Sequence, residues 1–361
     1  MGTLRDVHPN PRLTERLVEN RFFEDNPLVV VDVGARKGFE KHWDYYKDQC
    51  RLFGFEPNED SFKECLERKS NEQTTYYPFA LDIEKGERDF YHTSYLSSCG
   101  FYKPDKKIVK RFGSEDVFNI THITKVNTID LDSIALEVGL PNIDFIKLDT
   151  EGSELDILKG AEKALKSSVL GLSIEVEFLR MYLDQPLFPE VDQYLQSLNF
   201  ELYDLDLNRR TRKALAPHGV SRLDLGQLVQ GQALYFRNAI DELDSPETRR
   251  SWNKERILKL ACIQELFNLP DCAIELIQKG DSLKLLELGD AGLWTDLLVP
   301  IVDGEDSSYE EYLSSLRVTN PRVHHLTKRK FSKAINKLPE PLPSLIRHVL
   351  LKIRDFINLF L

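Results

Sequence analysis

Three short stretches combine acidic residues and glycine at spacings suited to chemistry. The first is Val31-Asp32-Val33-Gly34-Ala35-Arg36-Lys37-Gly38, at the end of an apolar run. Small residues at such a turn let the backbone approach a ligand, and a following helix start offers unpaired N–H groups. A dinucleotide fingerprint needs glycine at the positions of Arg36 and Phe39, so it fails twice. The D-x-G-x-x-x-G form suits a nucleoside joined to an amino acid, with Asp32 near a cationic group; the bland reading is a plain β–α turn. The second stretch, Glu56-Pro57-Asn58, follows Asp32 by 24 positions. An acid at the tip of a second strand can accept hydrogen bonds from both ribose hydroxyls, or can simply favour the dipole of the next helix. The third is Asp149-Thr150-Glu151-Gly152, followed by Glu175 and Glu177 in an apolar run. Their period of two places Glu175 and Glu177 on one strand face, where an unpaired buried carboxylate is costly. Salt bridging at the edge of the core and a place in the site are equally good explanations.

A proton acceptor for a hydroxyl could be Asp149, Glu175 or a histidine such as His122. His122 belongs to the polar loop Tyr91–His122, which also holds His92, Ser97 and Ser98 and is expected to fold over the ligand as a lid. An isolated loop histidine is more often incidental. Asp149 or Glu175 could instead hold a divalent metal, but no HxxxD or other ligand spacing supports one, and no metal is expected. The basic run Arg209-Arg210-Thr211-Arg212-Lys213 could recruit an anionic group of an acceptor; a solvated loop is the slightly favoured explanation.

Alternating β and α signals position these residues. Leu28–Val33 reads as a strand buried on both faces. Further strands are expected at Arg51–Glu56, Thr75–Leu81, Ile143–Asp149, Leu170–Phe178, Phe200–Asp206 and Ala233–Arg237. Helices are expected at 11–24, Phe39–Lys47, Asn58–Lys69 (Asn58 its N-cap), Ile129–Val138, Ser153–Lys166 and Val191–Leu198. Strands separated by helices require a parallel sheet with right-handed crossovers. The last two strands lack an intervening helix, so an antiparallel hairpin should close one edge. From a polar linker at Asp241–Glu247 onward the spacing is helical, over Ile257–Phe267, Cys272–Lys279, Leu283–Leu288 and Tyr309–Leu316. The expected organisation is a helical lead-in over 1–27, a ligand-binding α/β domain over 28–240 and a C-terminal helical domain over 241–361.

Composition limits the function classes. The 361 residues carry a net charge of −11, and 41% are hydrophobic, which suits a folded chain and gives no general affinity for nucleic acid. The charge is uneven: residues 317–361 hold ten Lys/Arg against two Asp/Glu. Pro339, Pro341 and Pro343 precede a pattern over 344–361 that reads as a basic amphipathic helix, suited to an anionic membrane surface or to the acidic body of the protein itself. Five scattered cysteines without a CxxC pair argue against a disulfide framework and for a reducing compartment. The N-terminus shows no apolar signal segment and no apolar stretch reaches membrane-spanning length, so a cytoplasmic location is expected, with peripheral contact through the tail.

The motifs VDVGARKG, FGFEPN, NTIDLD, IDFIKLDTEGSELDILKGA and the acidic IEVE strand, in this order, resemble the FkbM family of methyltransferases over Leu28 to Arg237. The resemblance implies a seven-stranded Rossmann-like sheet, S-adenosylmethionine as methyl donor and O-methylation of a hydroxyl, often on a sugar or natural product. Asp32, Gly34 and Gly38 match the family's cofactor loop, Glu56 its ribose acid, Phe79-Ala80-Leu81 its adenine-side segment, and Asp149 with Glu151 its D-x-E-G motif. Arg36 stands where the family usually has asparagine; with Lys37 it either meets the cofactor's carboxylate or faces solvent. The expected cofactor contacts are therefore Asp32, Gly34, Arg36, Gly38, Glu56, Pro57, Ala80, Leu81 and Ser98. The expected catalytic set is Asp149, Glu151, Glu175 and His122, with a glycan, glycolipid or similar hydroxylated acceptor. A non-catalytic scaffold on the same fold is the alternative, disfavoured by the intact Asp32, Glu56 and Asp149.

Overall fold

A computed structural model describes residues 7–68, 72–215, 225–301 and 306–318. The chain divides into two compact units, Met1–Trp294 and Thr295–Leu361. In the first, β1 (Leu28–Val33), β2 (Cys50–Phe55), β3 (Thr74–Tyr77), β7 (Phe145–Leu148), β8 (Gly171–Glu177), β9 (Phe200–Arg210) and β10 (Gln227–Arg237) form one sheet in the order β3-β2-β1-β7-β8-β10-β9. Neighbours from β3 to β8 are parallel, and β10 runs antiparallel to both β8 and β9. This is the expected seven-stranded sheet with its hairpin at one edge. β1, beside the central strand β7, is buried at all six positions because both faces are covered.

A second sheet occupies much of the stretch 82–127, where a hairpin at Asp89–Thr93 and a long polar loop are expected. β4 (Ala80–Leu81), β5 (Gly86–Thr93) and β6 (Ile120–Ile129) pair in the order β4-β6-β5. Between β5 and β6 the chain forms a short turn at Leu96–Ser98 and the helix α3 (Lys106–Arg111).

The helices follow their caps. α1 is Arg12–Glu19, and α2 is Glu59–Arg68, where Asn58 Oδ1 accepts from Ser61 N as an N-cap. α4 (Leu131–Val138) starts at Asp130, which accepts from Ser133 N. The helix expected over 153–166 is two, α5 (Glu154–Lys159) and α6 (Glu162–Ser167); α7 is Phe188–Ser197. The segment expected helical at 39–47 is a pair of 3-10 turns, Ala35–Lys37 and Lys41–Gln49. The stretch expected as a polar linker begins instead as helix α8 (Ala239–Asp244), because the Asn238 side chain caps Asp241 N. α9 (Lys254–Leu266) is buried continuously from Ile257 to Leu266, and α10 (Pro270–Ser282) packs on it. Lys259 of α9 reaches Asp144 at the foot of β7, 2.8 Å away. Residues 283–288, expected helical, are turns before α11 (Asp290–Leu298).

In the second unit, Tyr309 N donates to Asp296 Oδ1 (2.7 Å) at the start of α12 (Tyr309–Val318). The basic amphipathic pattern over 344–361 lies outside the described residues. No helix among the described residues is long and apolar enough to cross a membrane.

Candidate active site

The strand registers create one polar sheet face inside a domain whose other sheet face is apolar. Asp32 pairs with Lys147 across β1 and β7, and Lys147 with Ser173 across β7 and β8. Glu175 pairs with Gln232, and Gln232 with Asp206; Glu177 pairs with Gln230, and Gln230 with Asn208. Paired residues share a face, so these polar groups form rows at the carboxyl-end rim of the parallel strands. The alternate residues, Val33, Leu148, Ile174, Val176 and Ala233, enter the hydrophobic core.

The turn after β1 approaches the turn after β7 closely. Gly34 has φ +83°, and a Cβ there would lie 2.3 Å from the Asp149 carbonyl oxygen, so only glycine fits. In the β7 turn, Glu151 itself adopts φ +57° ahead of Gly152 at +110°. Glu154, nearly buried, holds this shape: its carboxylate accepts from Thr150 N (2.7 Å), Thr150 Oγ1 (2.9 Å) and Gly152 N (2.9 Å). A left-handed non-glycine residue costs on the order of 1–3 kcal/mol and persists because its surroundings fix it.

Two cavities open on this rim. One, about 910 Å³, lies between the Gly34 turn, Glu56-Pro57-Asn58, Phe79-Ala80-Leu81 and the segment Leu96–Phe101. Glu56 is 7% exposed. One of its oxygens accepts from Asn58 N (2.9 Å), and burial raises its pKa. Arg36 lines this cavity near Glu56, whereas Lys37 turns to Asp149, with Nζ 3.3 Å from Oδ2. The second cavity, about 1910 Å³, has the polar sheet face as its floor, including Lys147, Ser173, Glu175, Asp206, Asn208, Arg210, Gln230 and Gln232. His42, Trp43 and Phe267 add an aromatic wall. Asp149, Glu151, Lys37 and Ser97 border both cavities.

At that junction the electrostatics are unusual. Carboxylate oxygens of Asp149, Glu151 and Glu175 lie within 4.8 Å of one another. The Tyr182 hydroxyl is 3.1 Å from Glu151 Oε2, and Gln230 Nε2 donates to Glu175 Oε1 (2.6 Å). The second oxygens of Glu175 and Glu177 are buried without a partner. Burial, reinforced by the charge of Asp149, pushes Glu151 up to about 8. Burial and the charges of Glu151 and Asp149 lift Glu175 well above the carboxylate range.

The expected site residues divide accordingly. Gly34, Arg36, Glu56, Pro57, Ala80 and Leu81 wall the first cavity. Gly38 and Ser98 line the second instead. Asp32 is set beneath the loop: 1% exposed, it pairs with Lys147 (3.1 Å), and burial raises it to about 6 against that ammonium's pull. It touches neither cavity, because its strand position precedes the turn. Among the catalytic set, Asp149, Glu151 and Glu175 converge, but His122 does not. It is an exposed residue of β6, stacked 4.0 Å from His92 and bonded to Thr121, because strand pairing turns it away from the rim. Of the basic run, Arg210 faces the second cavity over the Phe118 ring, while Lys213 pairs with Glu115 and Arg209 bonds the Gly226 carbonyl.

Open α/β sheets of this kind bind ligands in the crevice at the carboxyl ends of their parallel strands, where both cavities lie. Residues 32–202 match the family model for the Methyltransferase FkbM domain. The chain is 27% identical over 165 residues to the hexuronic acid methyltransferase AglP of Haloferax volcanii, a match covering 45% of this chain and 61% of that protein. Among solved structures, an FkbM methyltransferase from Methylobacillus flagellatus matches with TM-score 0.32 and 16% identity, over 58% of this chain and 43% of that one. Magnesium protoporphyrin IX methyltransferase from Synechocystis, with bound S-adenosylmethionine, matches with TM-score 0.31 and 10% identity, over 63% and 80%.

Proposed function

We propose that this chain is an S-adenosylmethionine-dependent O-methyltransferase acting on a hydroxyl of an acidic sugar in a glycan. The carrying observation is that a cavity bordered by the Gly34 turn and Glu56 and a polar chamber meet at Asp149 and Glu151. In the first cavity the residues fit the donor. The Gly34 turn admits backbone close to a ligand. Glu56 faces the cavity with carboxylate capacity beyond its bond to Asn58, suited to two ribose hydroxyls. Ala80 and Leu81 offer an apolar wall to a base. When bound, the sulfonium supplies an already reactive methyl group.

The chain's own task is then to orient the acceptor and take one proton. Asp149 would take the hydroxyl proton as the acceptor oxygen is methylated, and the bound donor would supply the methyl group and leave as the neutral sulfide. Asp149 suits this role because it borders both cavities and has an ammonium partner in Lys37. The chamber floor, rich in carboxamide and carboxylate groups, suits a hydroxylated acceptor. Arg210, with no carboxylate within ion-pair distance among the described residues, suits the acceptor's own carboxylate. The relative that acts on a hexuronic acid supports this choice. The basic pattern over 344–361 supports contact with an anionic bilayer, tested by vesicle co-sedimentation of the full chain against 1–338.

The test is incubation with methyl-labelled S-adenosylmethionine and uronic-acid oligosaccharides, followed by alkaline hydrolysis of the product. Label that survives alkali is the expected ether. Label lost to alkali marks a carboxyl ester and refutes hydroxyl methylation; no transfer to any uronic acceptor refutes the acceptor assignment.

A further inference from the structure

The geometry points to a divalent-cation site formed by Asp149, Glu151 and Glu175 at the junction of the two cavities. Their oxygens lie within 4.8 Å of one another, close enough to converge on one ion. An all-carboxylate set selects a hard cation such as Mg²⁺ or Mn²⁺. A cluster of acids alone is no site, since many are solvated. Here the second oxygen of Glu175 is different: the residue is 9% exposed, and this atom has neither water access nor a donor. A buried carboxylate oxygen left without a partner costs several kcal/mol unless a proton or a cation meets it.

The surroundings orient the set without neutralising it. Gln230 holds the other oxygen of Glu175, and Tyr182 stands beside one oxygen of Glu151. Neutral donors of this kind fix ligand carboxylates while leaving their charge for the metal. Among the described residues the one ammonium in ion-pair contact with the set, Lys37 on Asp149, belongs to a side chain that is 47% exposed and able to swing away. A cation here faces the polar chamber, where its remaining positions can take acceptor hydroxyls and lower their pKa. For that purpose the proposal rests on the methyltransferase reading; for cation binding itself it does not. It replaces the expectation, drawn from ligand spacing, that no metal is used: spacing along the chain could not show Glu175 of β8 meeting the β7 turn.

The test is Mn²⁺ titration of the EDTA-treated full chain, read by electron paramagnetic resonance and by thermal melting, with no cofactor present. One Mn²⁺ per chain is expected, with at least tenfold weaker binding in Glu175→Gln and Glu151→Gln, and a Mn²⁺-dependent rise in melting temperature in the parent alone. Lys37→Met, an exposed change that should not impair folding, is expected to bind Mn²⁺ several-fold more tightly. No Mn²⁺ uptake at millimolar concentration overturns the proposal, as does uptake that both Gln variants leave unchanged or that Lys37→Met weakens. Calorimetry with S-adenosylhomocysteine on the same metal-free protein separates the two readings: binding without Mn²⁺ uptake removes the metal alone, and loss of both removes the cofactor site as well.

Discussion

The two ends of the central sheet treat buried charge in opposite ways. At the amino end, Asp144 accepts from Lys259 Nζ and Val29 N, both at 2.8 Å, and Lys259 also donates to the Pro27 carbonyl. Arg237 and Glu242 pair at 2.9 Å, and Glu242 further accepts from Trp252 Nε1 and Asn199. Burial opposes the Glu242 charge, yet Arg237 and these donors hold it below the usual carboxylate range. At the carboxyl end, Glu175 and Glu177 each keep a buried oxygen without a donor. Burial does not distinguish the two ends; the pairing of their carboxylates does, although Arg256 Nε near Arg237 is also buried without a partner. Satisfied charges fasten α9 to the sheet, whereas unsatisfied ones are held ready for a ligand.

The largest expected effects break this contrast from each side. Asp149→Asn should lower turnover about 10²–10⁴-fold while altering stability by less than about 1 kcal/mol, checked by methyl-transfer rates and urea melts. Normal turnover would make Asp149 structural. Lys259→Met should do the reverse, costing about 3–5 kcal/mol of stability because it strands Asp144, with ligand affinity unchanged in whatever fraction stays folded. Smaller in size, Glu175→Gln should make the stability of the metal-free protein less sensitive to alkaline pH, since it removes a carboxyl whose ionisation is opposed by burial and by the charges of Glu151 and Asp149; urea midpoints across the alkaline range check it. The last is a pH slope. Unfolded glutamates release their protons near 4.5, while Glu151 holds its proton to about 8 and Glu154 to about 7. Between these limits the folded state binds more protons, so stability should fall as pH rises. Urea midpoints across that range should flatten in Glu151→Gln.

Much of the site was legible because local backbone needs dictate residue types. A strand buried on both faces demands the run Leu28–Val33, a close-approach turn demands Gly34, and an acid at a strand tip marks Glu56. The convergence of Asp149, Glu151 and Glu175 was legible in part, as an anomaly of acids inside an apolar strand. What escaped is what pairing decides. Asp206, Asn208, Gln230 and Gln232 alternate along the last two strands, a pattern that ordinarily means a solvated face; only register across the sheet turns them into a chamber floor. Glu154 reads as a helix-start acid, and its three bonds to the preceding turn need coordinates to be seen. His122 fails for the same reason in reverse, because its strand pairs in a second sheet that no local pattern announces.

The most direct test of the carboxyl-end rim as a methyl-donor site is calorimetry of S-adenosylhomocysteine against the parent chain and Glu56→Ala. Saturable binding by the parent, weakened by about 2–3 kcal/mol in the variant through loss of two charge-assisted hydrogen bonds, is the predicted result; no binding by the parent, or equal affinity in both, would contradict it.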